Sequence, residues 1–250
     1  FCGAPIVLNM LIDLDKENLV GIGHDVKIMT AGSPPPPPVL VSIEERGFHV
    51  THAYGLTECY GPGVVCAWHD EWNVESTSER ARLKARQGVT YPSLDGLMVA
   101  DSESMKPCPA DGKSMGEVMM RGNIVMKGYL KNQDATEAAF RGGWFHTGDM
   151  GIIDGHGYLT INGRKKNLIV LGSGKKVQPE EVEQYLEPSP LFKDVCILGL
   201  THLDSLRTGQ EEVVCMVIPA DDHLELFSDE KTLKLALENE VRLRCKVVAD

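Results

Sequence analysis

Apolar residues near the start of the chain recur with two different periods. Residues 1–18 and 39–43 carry them at helical spacing, whereas residues 25–31 and 48–53 have the short apolar or alternating pattern of strands. A strand, a helix and a second strand joined by such short connections form a βαβ unit. The pattern therefore predicts an α/β fold with a parallel sheet and helices on its faces.

Five consecutive prolines, residues 34–38, precede the second helical segment, and Gly47 follows it. Proline lacks an amide hydrogen and does not fit the centre of a sheet, but its fixed φ suits a first helical turn. We therefore expect the prolines to form a rigid start to the helix and Gly47 to end it. A polyproline ligand for an SH3-type domain is the alternative.

The middle of the chain changes to a β pattern. Residues 97–100, 116–122 and 124–129 are short apolar runs bounded by turn residues. Residues 79–86 are highly charged and predict an exposed helix, and residues 134–140 predict a further helix. Together these segments predict a small antiparallel β subdomain with flanking helices.

The last third of the chain has a third pattern. Residues 178–186 have proline in the first helical turn, followed by acids, which is typical of a helix start. Residues 195–200 and 213–218 are apolar runs typical of strands, and Ser228 is placed to cap a last helix. A separate α+β domain is therefore expected to begin near residue 165.

Composition narrows the possible partners and location. The 250 residues carry 25 Lys and Arg against 36 Asp and Glu, a net charge of −11 that repels nucleic acid and anionic membranes. No apolar run of about 18 residues predicts a membrane span. Seven cysteines without a C-x-x-C pair favour neither zinc nor a disulfide framework, so the cytoplasm or the matrix of a peroxisome or other organelle is expected. The start, Phe1-Cys-Gly-Ala-Pro5, has no methionine or basic leader, so we expect a cut N-terminus.

Two stretches late in the chain carry candidate binding chemistry. In Thr147-Gly-Asp149 a carboxylate follows a glycine, and a turn at the end of a strand would hold it out as an acceptor for two vicinal hydroxyls. Arg164 is a rigid fork of donors, and Lys165 and Lys166 add positive charge. These residues predict a polar clasp for a ribose and its phosphate. A surface turn followed by a basic strand end is the alternative.

A third stretch, Tyr54-Gly-Leu-Thr-Glu58, follows the strand predicted at residues 48–53. Open α/β sheets bind ligands at the carboxyl ends of such strands. Tyr54 can stack on a base, Gly55 lets a ligand approach the backbone, Thr57 offers a hydroxyl to phosphate, and Glu58 is a hard oxygen ligand for Mg²⁺. A core aromatic and a helix-capping acid are the alternatives for Tyr54 and Glu58.

Four motifs occur in a fixed order: Tyr54-Gly-Leu-Thr-Glu58, Gly116-Glu117 with Gly122 and Gly128-Tyr129, Trp144-Phe-His-Thr-Gly-Asp149, and Gly163-Arg-Lys-Lys-Asn-Leu-Ile169. Together they resemble the adenylate-forming superfamily of acyl-CoA synthetases, luciferases and peptide-synthetase adenylation domains. The resemblance implies part of a large AMP-binding domain at residues 1–163, a hinge at 164–168 and a truncated α+β domain at 169–250. It also implies a two-step reaction, in which a carboxylic or fatty acid and ATP give an acyl-adenylate and CoA then takes the acyl group.

The resemblance implies roles for single residues as well. Tyr54 is similar to the adenine-stacking aromatic, Thr57 to the phosphate-contacting hydroxyl and Glu58 to the magnesium ligand, so Thr57 and Glu58 are the catalytic candidates. Asp149 and Arg164 match the residues that hold the ribose. ATP or AMP, Mg²⁺ and CoA are the implied cofactors.

Smaller residues complete the implied site. Ala31-Gly32-Ser33 resembles the strand end that lines the acyl and adenine pockets, so Gly32 and Ser33 are expected beside the nucleotide. Lys166 matches the hinge residue. Gly172-Ser173-Gly174 is similar to the loop that lines the pantetheine tunnel.

The chain also departs from the family. A glycine- and Ser/Thr-rich phosphate loop with its lysine should precede Tyr54, and a further lysine should lie in the final C-terminal motif; neither is found. We therefore expect about half an enzyme, which retains the floor of the nucleotide pocket and forms no adenylate by itself. A non-catalytic nucleotide-binding or interaction remnant is the alternative. A hydrolase or dehydrogenase is disfavoured because G-x-S-x-G and a helix-opening G-x-G-x-x-G are both missing.

The two halves resemble different branches of the family. Ala31-Gly32-Ser33 with the prolines, and Ala85-Arg-Gln-Gly88, resemble the plant short- and medium-chain acyl-activating branch, whereas the stretch from Gly163 to Gly172 resembles long-chain acyl-CoA synthetases. Either a divergent lineage or two joined sequences is expected.

Overall fold

The computed structural model of the chain describes residues 1–14, 24–187, 189–201, 211–221, 227 and 229–245. The chain divides into two compact units, Phe1–Ile161 and Asn162–Asp250, and the boundary falls within a strand. The predicted cap at Ser228 lies outside the described residues. Among the helices that are described, none is long and apolar enough to cross a membrane.

A five-stranded sheet opens the first unit. Its strands follow in the order β1 (Cys2–Gly3), β2 (Val26–Thr30), β3 (Phe48–Tyr54), β4 (Val64–Val65) and β5 (Val89–Thr90). The first three strands are parallel, and β4 and β5 add to them in antiparallel pairs. The predicted parallel βαβ unit is therefore confirmed.

Three helices pack against this sheet through one apolar core. They are α1 (Pro5–Ile12), α2 (Pro37–Glu45) and α3 (Thr77–Ala85). The core joins side chains from all three helices with those of β2 and β3: Leu8, Ile28, Leu40, Ile43, Phe48, Val50 and Ala81. The proline run starts α2 as predicted, with proline in the first helical turn. The helix predicted at residues 79–86 is confirmed as part of α3, but its predicted exposure is wrong for one face, because Ala81 and Leu83 are buried.

A second sheet of four strands completes the first unit. It comprises, in order, β6 (Gly96–Ala100), β7 (Gly116–Arg121), β8 (Phe145–Ile153) and β9 (Leu159–Arg164). The pairs β6–β7 and β7–β8 are antiparallel, as predicted for the subdomain, and α4 (Gln133–Ala139) lies between β7 and β8 in the sequence. A second apolar core binds this sheet to the loops around it.

The prediction of a strand at residues 124–129 is wrong. The segment is an irregular loop, entered and left through Gly122 and Gly128, whose φ angles are +156° and +153°. Its apolar residues 124–126 pack against the second core from outside the sheet. Their apolar character therefore reflects coverage of a core and not a place in a β ladder.

An arginine joins the region after β4 to the β8–β9 hairpin. The Arg86 guanidinium carbon lies 4.0 Å from the ring centroid of Tyr158 and 5.0 Å from that of Trp72. Its Nη1 pairs with Asp154 Oδ2 at 3.0 Å, and the Arg86 side chain is only 11% exposed. A planar cation stacked on two rings and paired with a carboxylate stabilises this corner of the unit.

The second unit is α+β. The short strands β10 (Ile169–Val170) and β11 (Lys176–Val177) form an antiparallel pair, as do β12 (Phe192–Thr201) and β13 (Glu211–Pro219). Helices α5 (Pro179–Leu186) and α6 (Glu230–Cys245) supply apolar side chains to a core centred on Ile169, Leu186 and Phe192. The helix predicted at residues 178–186 and the strands predicted at 195–200 and 213–218 are confirmed.

Candidate functional site

The carboxyl ends of β2 and β3 meet at one edge of the five-stranded sheet. The strands are parallel and pair Thr30 with His52, so the segment after Thr30 and the segment after Tyr54 leave the sheet on the same side. Gly32 and Ser33 follow β2 as exposed residues, and Gly32 has a φ of +103° that favours glycine. The structure therefore brings Gly32 and Ser33 to the edge from which the loop at residues 54–58 starts.

The loop after β3 is closed tightly upon itself. A Cβ on Gly55 would lie 2.1 Å from the backbone oxygen of Gly61, so the closure itself requires glycine at this position. The Leu56 amide donates to the buried Cys59 Sγ at 3.1 Å, which stabilises the short 3₁₀ turn Thr57–Cys59. Thr57 is exposed at the start of this turn. The tightly closed loop thus exposes the side chain of Thr57, which carries a hydroxyl.

The Glu58 carboxylate is oriented by a loop distant in sequence. The Tyr129 hydroxyl donates to Glu58 Oε1 at 3.2 Å, and the Met126 amide donates to the Glu58 backbone oxygen at 2.7 Å. Burial, and then the negative charge of Glu58, raise the pKa of Tyr129, which keeps the phenol a donor. The sequence indicated no role for Tyr129 beyond its place in a motif.

The residues around Glu58 fit one particular mode of Mg²⁺ binding. Mg²⁺ in nucleotide sites is held by one or two carboxylates together with substrate phosphates and water. Within the described part of the chain, no group of three or more His, Cys, Asp and Glu side chains could hold a metal ion. The half-buried Glu58 carboxylate fits a metal ion that arrives with a nucleotide.

Tyr54 and Asp149 come together across the first unit. The Tyr54 hydroxyl donates to Asp149 Oδ2 at 2.5 Å, which joins the end of β3 to the middle of β8. Asp149 is only 4% exposed. Residues 95 positions apart in the sequence, predicted for the base and the ribose of one ligand, are therefore direct neighbours.

Asp149 is presented by a bulge in β8. We expected a turn at the end of a strand, and this is wrong because β8 continues to Ile153. Glu117 pairs with Met150 and Met119 with His146, so residues 147–149 all lie opposite one residue of β7. Gly148 has a φ of +74°, which glycine adopts readily. Bulges redirect side chains and are frequent beside active sites, and this one redirects Asp149.

Thr147 stabilises the bulge from within. Its hydroxyl donates to the Val118 backbone oxygen at 2.8 Å and accepts from the Asp149 amide at 3.1 Å. One buried hydroxyl therefore replaces the β-ladder bonds that the extra residues interrupt.

A buried carboxylate also contacts the bulge, and sequence analysis missed its role. Glu117 is 3% exposed, and its Oε1 accepts from the Gly148 amide at 3.2 Å. Its Oε2 lies 3.1 Å from Nδ1 of His146. The available signal was a carboxylate at the head of the apolar run Val118-Met119-Met120, since buried acids in strands occur where they are paired.

The remaining site candidates lie in or at the start of the second unit. Arg164 is the last residue of β9, Lys166 lies in the 3₁₀ turn Lys165–Asn167, and Gly172 lies in the turn between β10 and β11. All three are exposed. Gln178 Nε2 donates to the Arg164 backbone oxygen at 3.1 Å, which fixes the end of β9 within this unit.

An aromatic ring, a hydroxyl and a carboxylate lie at one edge of the parallel sheet, and a buried aspartate of a second sheet contacts the ring. Open α/β sheets form their ligand sites at such edges. The chain belongs to the AMP-binding enzyme family, whose family model matches residues 1–130. The predicted membership of the adenylate-forming superfamily and the predicted α/β fold are thereby confirmed, and the family assignment is that of acid–thiol ligases.

Plant CoA ligases are among the similar proteins. The acetate–CoA ligase CCL3 of Humulus lupulus is 50% identical over 200 residues, which are 80% of this chain and 35% of that protein. The peroxisomal acetate/butyrate–CoA ligase AAE7 of Arabidopsis thaliana is 45% identical over 200 residues, again 80% and 35%. The chain therefore spans about 35% of the length of these curated relatives.

Solved structures agree on the fold. The ATP-bound RpMatB–BxBclM chimera B1 has a TM-score of 0.78 and 27% identity, over 97% of this chain and 44% of that one. The O-succinylbenzoate CoA synthetase of Bacillus subtilis, in complex with ATP and magnesium ion, has a TM-score of 0.70 and 23% identity, over 93% of this chain and 46% of that one.

Proposed function

We propose that this chain provides the nucleotide-binding floor of an enzyme that activates a carboxylic acid with ATP and transfers it to CoA. The contact of the Tyr54 hydroxyl with Asp149 carries the proposal, because it joins a base-stacking ring to a ribose-type acceptor in one site. The names of the plant relatives, acetate–CoA and acetate/butyrate–CoA ligase, support a small carboxylic acid as substrate.

Each candidate residue has a place in this proposal. Tyr54 stacks on adenine, Asp149 accepts hydrogen bonds from the ribose, and the exposed Thr57 donates to a phosphate oxygen. Arg164 keeps the ribose-binding role that the family resemblance implies. Gly32 and Ser33, at the same sheet edge, leave room for adenine and the acyl group. Attack of a carboxylate on the α-phosphate needs in-line positioning and charge stabilisation more than proton transfer.

Mg²⁺, when bound at Glu58, would neutralise charge on the nucleotide phosphates. The protein's own contribution is to hold the carboxylate oxygen in place, through Tyr129 and the rigid 3₁₀ turn. A Glu58 that rotated freely would lose rotational entropy each time a metal–nucleotide complex bound, so this orientation raises affinity.

The division into functional domains is also a proposal. Residues 1–163 would belong to the large AMP-binding domain, residues 164–168 with Lys166 would form the hinge, and residues 169–250 would belong to a mobile smaller domain. Gly172, in an exposed turn, would contact the pantetheine arm of CoA.

The 250-residue chain by itself is proposed to bind nucleotide without forming an adenylate. Its sequence holds no glycine- and Ser/Thr-rich loop with a lysine before Tyr54. Without such a loop the developing charge on the phosphates lacks its main cationic donor. Detectable ATP–pyrophosphate exchange by the purified chain would overturn this.

The location of the protein in the cell is also a proposal, and it rests on the names of relatives. The acetate/butyrate–CoA ligase AAE7 and a trans-cinnamate:CoA ligase of Petunia hybrida are both named peroxisomal. These names support a peroxisomal location for the protein to which this sequence belongs, and the cytoplasm is the alternative that its cysteine content favours.

Calorimetric titration of ATP with and without Mg²⁺ tests the proposal. The wild-type chain should bind ATP more tightly with Mg²⁺, and Glu58→Gln should lose most of that gain while binding metal-free ATP as before. Glu71→Gln, at an exposed carboxylate in the 3₁₀ turn Asp70–Val74, is the matched control and should behave as wild type. Equal Mg²⁺ gains in wild type and Glu58→Gln would remove Glu58 from the metal site.

A further inference from the structure

We propose that Glu117, together with His146, is a positioning residue that sets the bulge at residues 147–149 and thereby the recognition of ribose hydroxyls by Asp149. The inference rests on the proposed function of Asp149 and deepens it. The buried contact between Glu117 on β7 and His146 on β8 thereby takes part in ligand discrimination.

The two oxygens of Glu117 have different partners, and both partners belong to β8. Oε1 accepts from the Gly148 amide at 3.2 Å, and Oε2 lies 3.1 Å from His146 Nδ1. The side chains of Glu117 and His146 are only 4% and 9% exposed, so water screens neither contact strongly. One carboxylate thus holds the strand on either side of Thr147.

The Gly148 amide is the group through which Glu117 acts on Asp149. Bulged residues lose regular ladder bonds, and a buried amide without an acceptor is unfavourable. Glu117 supplies the acceptor, in a conformation with φ of +74° at Gly148. The next residue is Asp149, so the direction of its side chain depends on the peptide plane that Glu117 fixes.

His146 extends the contact to the turn before β8. Its Nε2 lies 3.1 Å from the Arg141 backbone oxygen, and its Nδ1 faces the Glu117 carboxylate. The ring therefore links the backbone of the 3₁₀ turn Arg141–Gly143 to the carboxylate that contacts the bulge.

Titration of AMP and of 2′,3′-dideoxy-AMP, which lacks both ribose hydroxyls, into the purified chain tests this inference. The ratio of the two affinities measures hydroxyl recognition alone. Glu117→Met has nearly the shape of glutamate but accepts no comparable hydrogen bond, and should lower the ratio by about tenfold, the value of one charged hydrogen bond. Glu117→Gln can still accept from Gly148 and donate to His146, and should keep the ratio within about threefold of wild type.

The outcomes separate the inference from the proposed function. If Glu117→Met keeps the wild-type affinity ratio, the inference is overturned and the role of Asp149 stands. Equal weakening of AMP and 2′,3′-dideoxy-AMP binding has the same meaning, because it shows that Glu117 has a purely structural role. Equal wild-type affinity for the two nucleotides overturns the role of Asp149 and the inference with it. Should Glu117→Met not fold, amide hydrogen exchange of Gly148 in the wild-type chain decides: strong protection supports the contact, and exchange as fast as in an exposed loop overturns it.

Discussion

The Tyr54 side chain should contribute to stability through its hydroxyl and to ligand binding through its ring. The hydroxyl donates at 2.5 Å to a carboxylate that is 4% exposed. Tyr54→Phe leaves that Asp149 oxygen without this donor, and a hydrogen bond to a buried charged group contributes about 2 kcal/mol to the free energy of unfolding. For a protein of this size we therefore expect Tm to fall by about 4–8 °C.

Tyr60→Phe is the matched control, because its side chain is 91% exposed in the same loop. Its free energy of unfolding should change by less than about 0.5 kcal/mol. Urea unfolding followed by circular dichroism measures both variants. A Tyr54→Phe chain as stable as Tyr60→Phe would refute the stabilising hydrogen bond.

Ligand binding should separate the ring from the hydroxyl. Tyr54→Phe retains a face for adenine and should bind AMP within about threefold of wild type, whereas Tyr54→Ala should lose the stacking energy of about 1–3 kcal/mol, or about 5- to 150-fold in affinity. Calorimetry measures both. If Tyr54→Phe weakens AMP binding as much as Tyr54→Ala, the ring does not stack on the base.

Three further predictions concern other positions. Arg86→Ala should lower the free energy of unfolding in urea by about 2 kcal/mol, because the mostly buried guanidinium loses its stacking on Tyr158 and Trp72 and its pairing with the partly exposed Asp154. Arg82→Ala, at an exposed ion pair, should cost less than about 1 kcal/mol, and equal effects would contradict the stacking account. Gly55→Ala should unfold the loop after β3 and abolish AMP binding in calorimetry. Gly155→Ala is the control and should bind AMP normally, because a Cβ on Gly155 would meet only one atom, at 3.8 Å. AMP binding by Gly55→Ala would contradict the tight closure of the loop. Burial raises the pKa of Cys66 to about 11, so its thiol stays protonated at pH 8. It should therefore react with iodoacetamide far more slowly than the exposed thiols of the chain. Equal labelling of these thiols in mass spectrometry would refute this prediction.

Local signals predicted the parallel part of the fold. The period of apolar residues located β2, α2 and β3, and the proline run located the start of α2, because these features depend on neighbours a few positions away. The pairing of residues 2–3 as β1 escaped prediction, since a two-residue strand has no period to detect. The same holds for the short pair of β4 and β5.

Features that depend on distant partners were missed or misread. Residues 124–126 are apolar because they cover a core built mainly by other segments, and their composition alone resembles a strand. The bulge that presents Asp149 depends on the register of β8 against β7, which no local pattern encodes. Glu117 stands 31 positions from Gly148 in the sequence, so only the fold shows what its carboxylate holds.

Two candidate site residues were singled out from the sequence, whereas the contacts that surround them were not. Tyr54 and Asp149 were singled out by residue type and position in a motif, and the structure places them in direct contact. The reason given for Asp149, a turn at the end of a strand, was wrong. Tyr129 and Glu117 orient Glu58 and the bulge, and their roles became visible only when hydrogen bonds between loops and strands were known.

Calorimetric titration of AMP into the purified 250-residue chain tests the central claim most directly, with Asp149→Ala as the test variant and Asp134→Ala, at an exposed acid of α4, as the control. We predict that wild type and Asp134→Ala bind AMP equally within about twofold, and that Asp149→Ala binds at least about tenfold more weakly, since charged hydrogen bonds to the ribose are lost. A folded chain that does not bind AMP, or an Asp149→Ala chain that binds it as wild type does, would contradict the account.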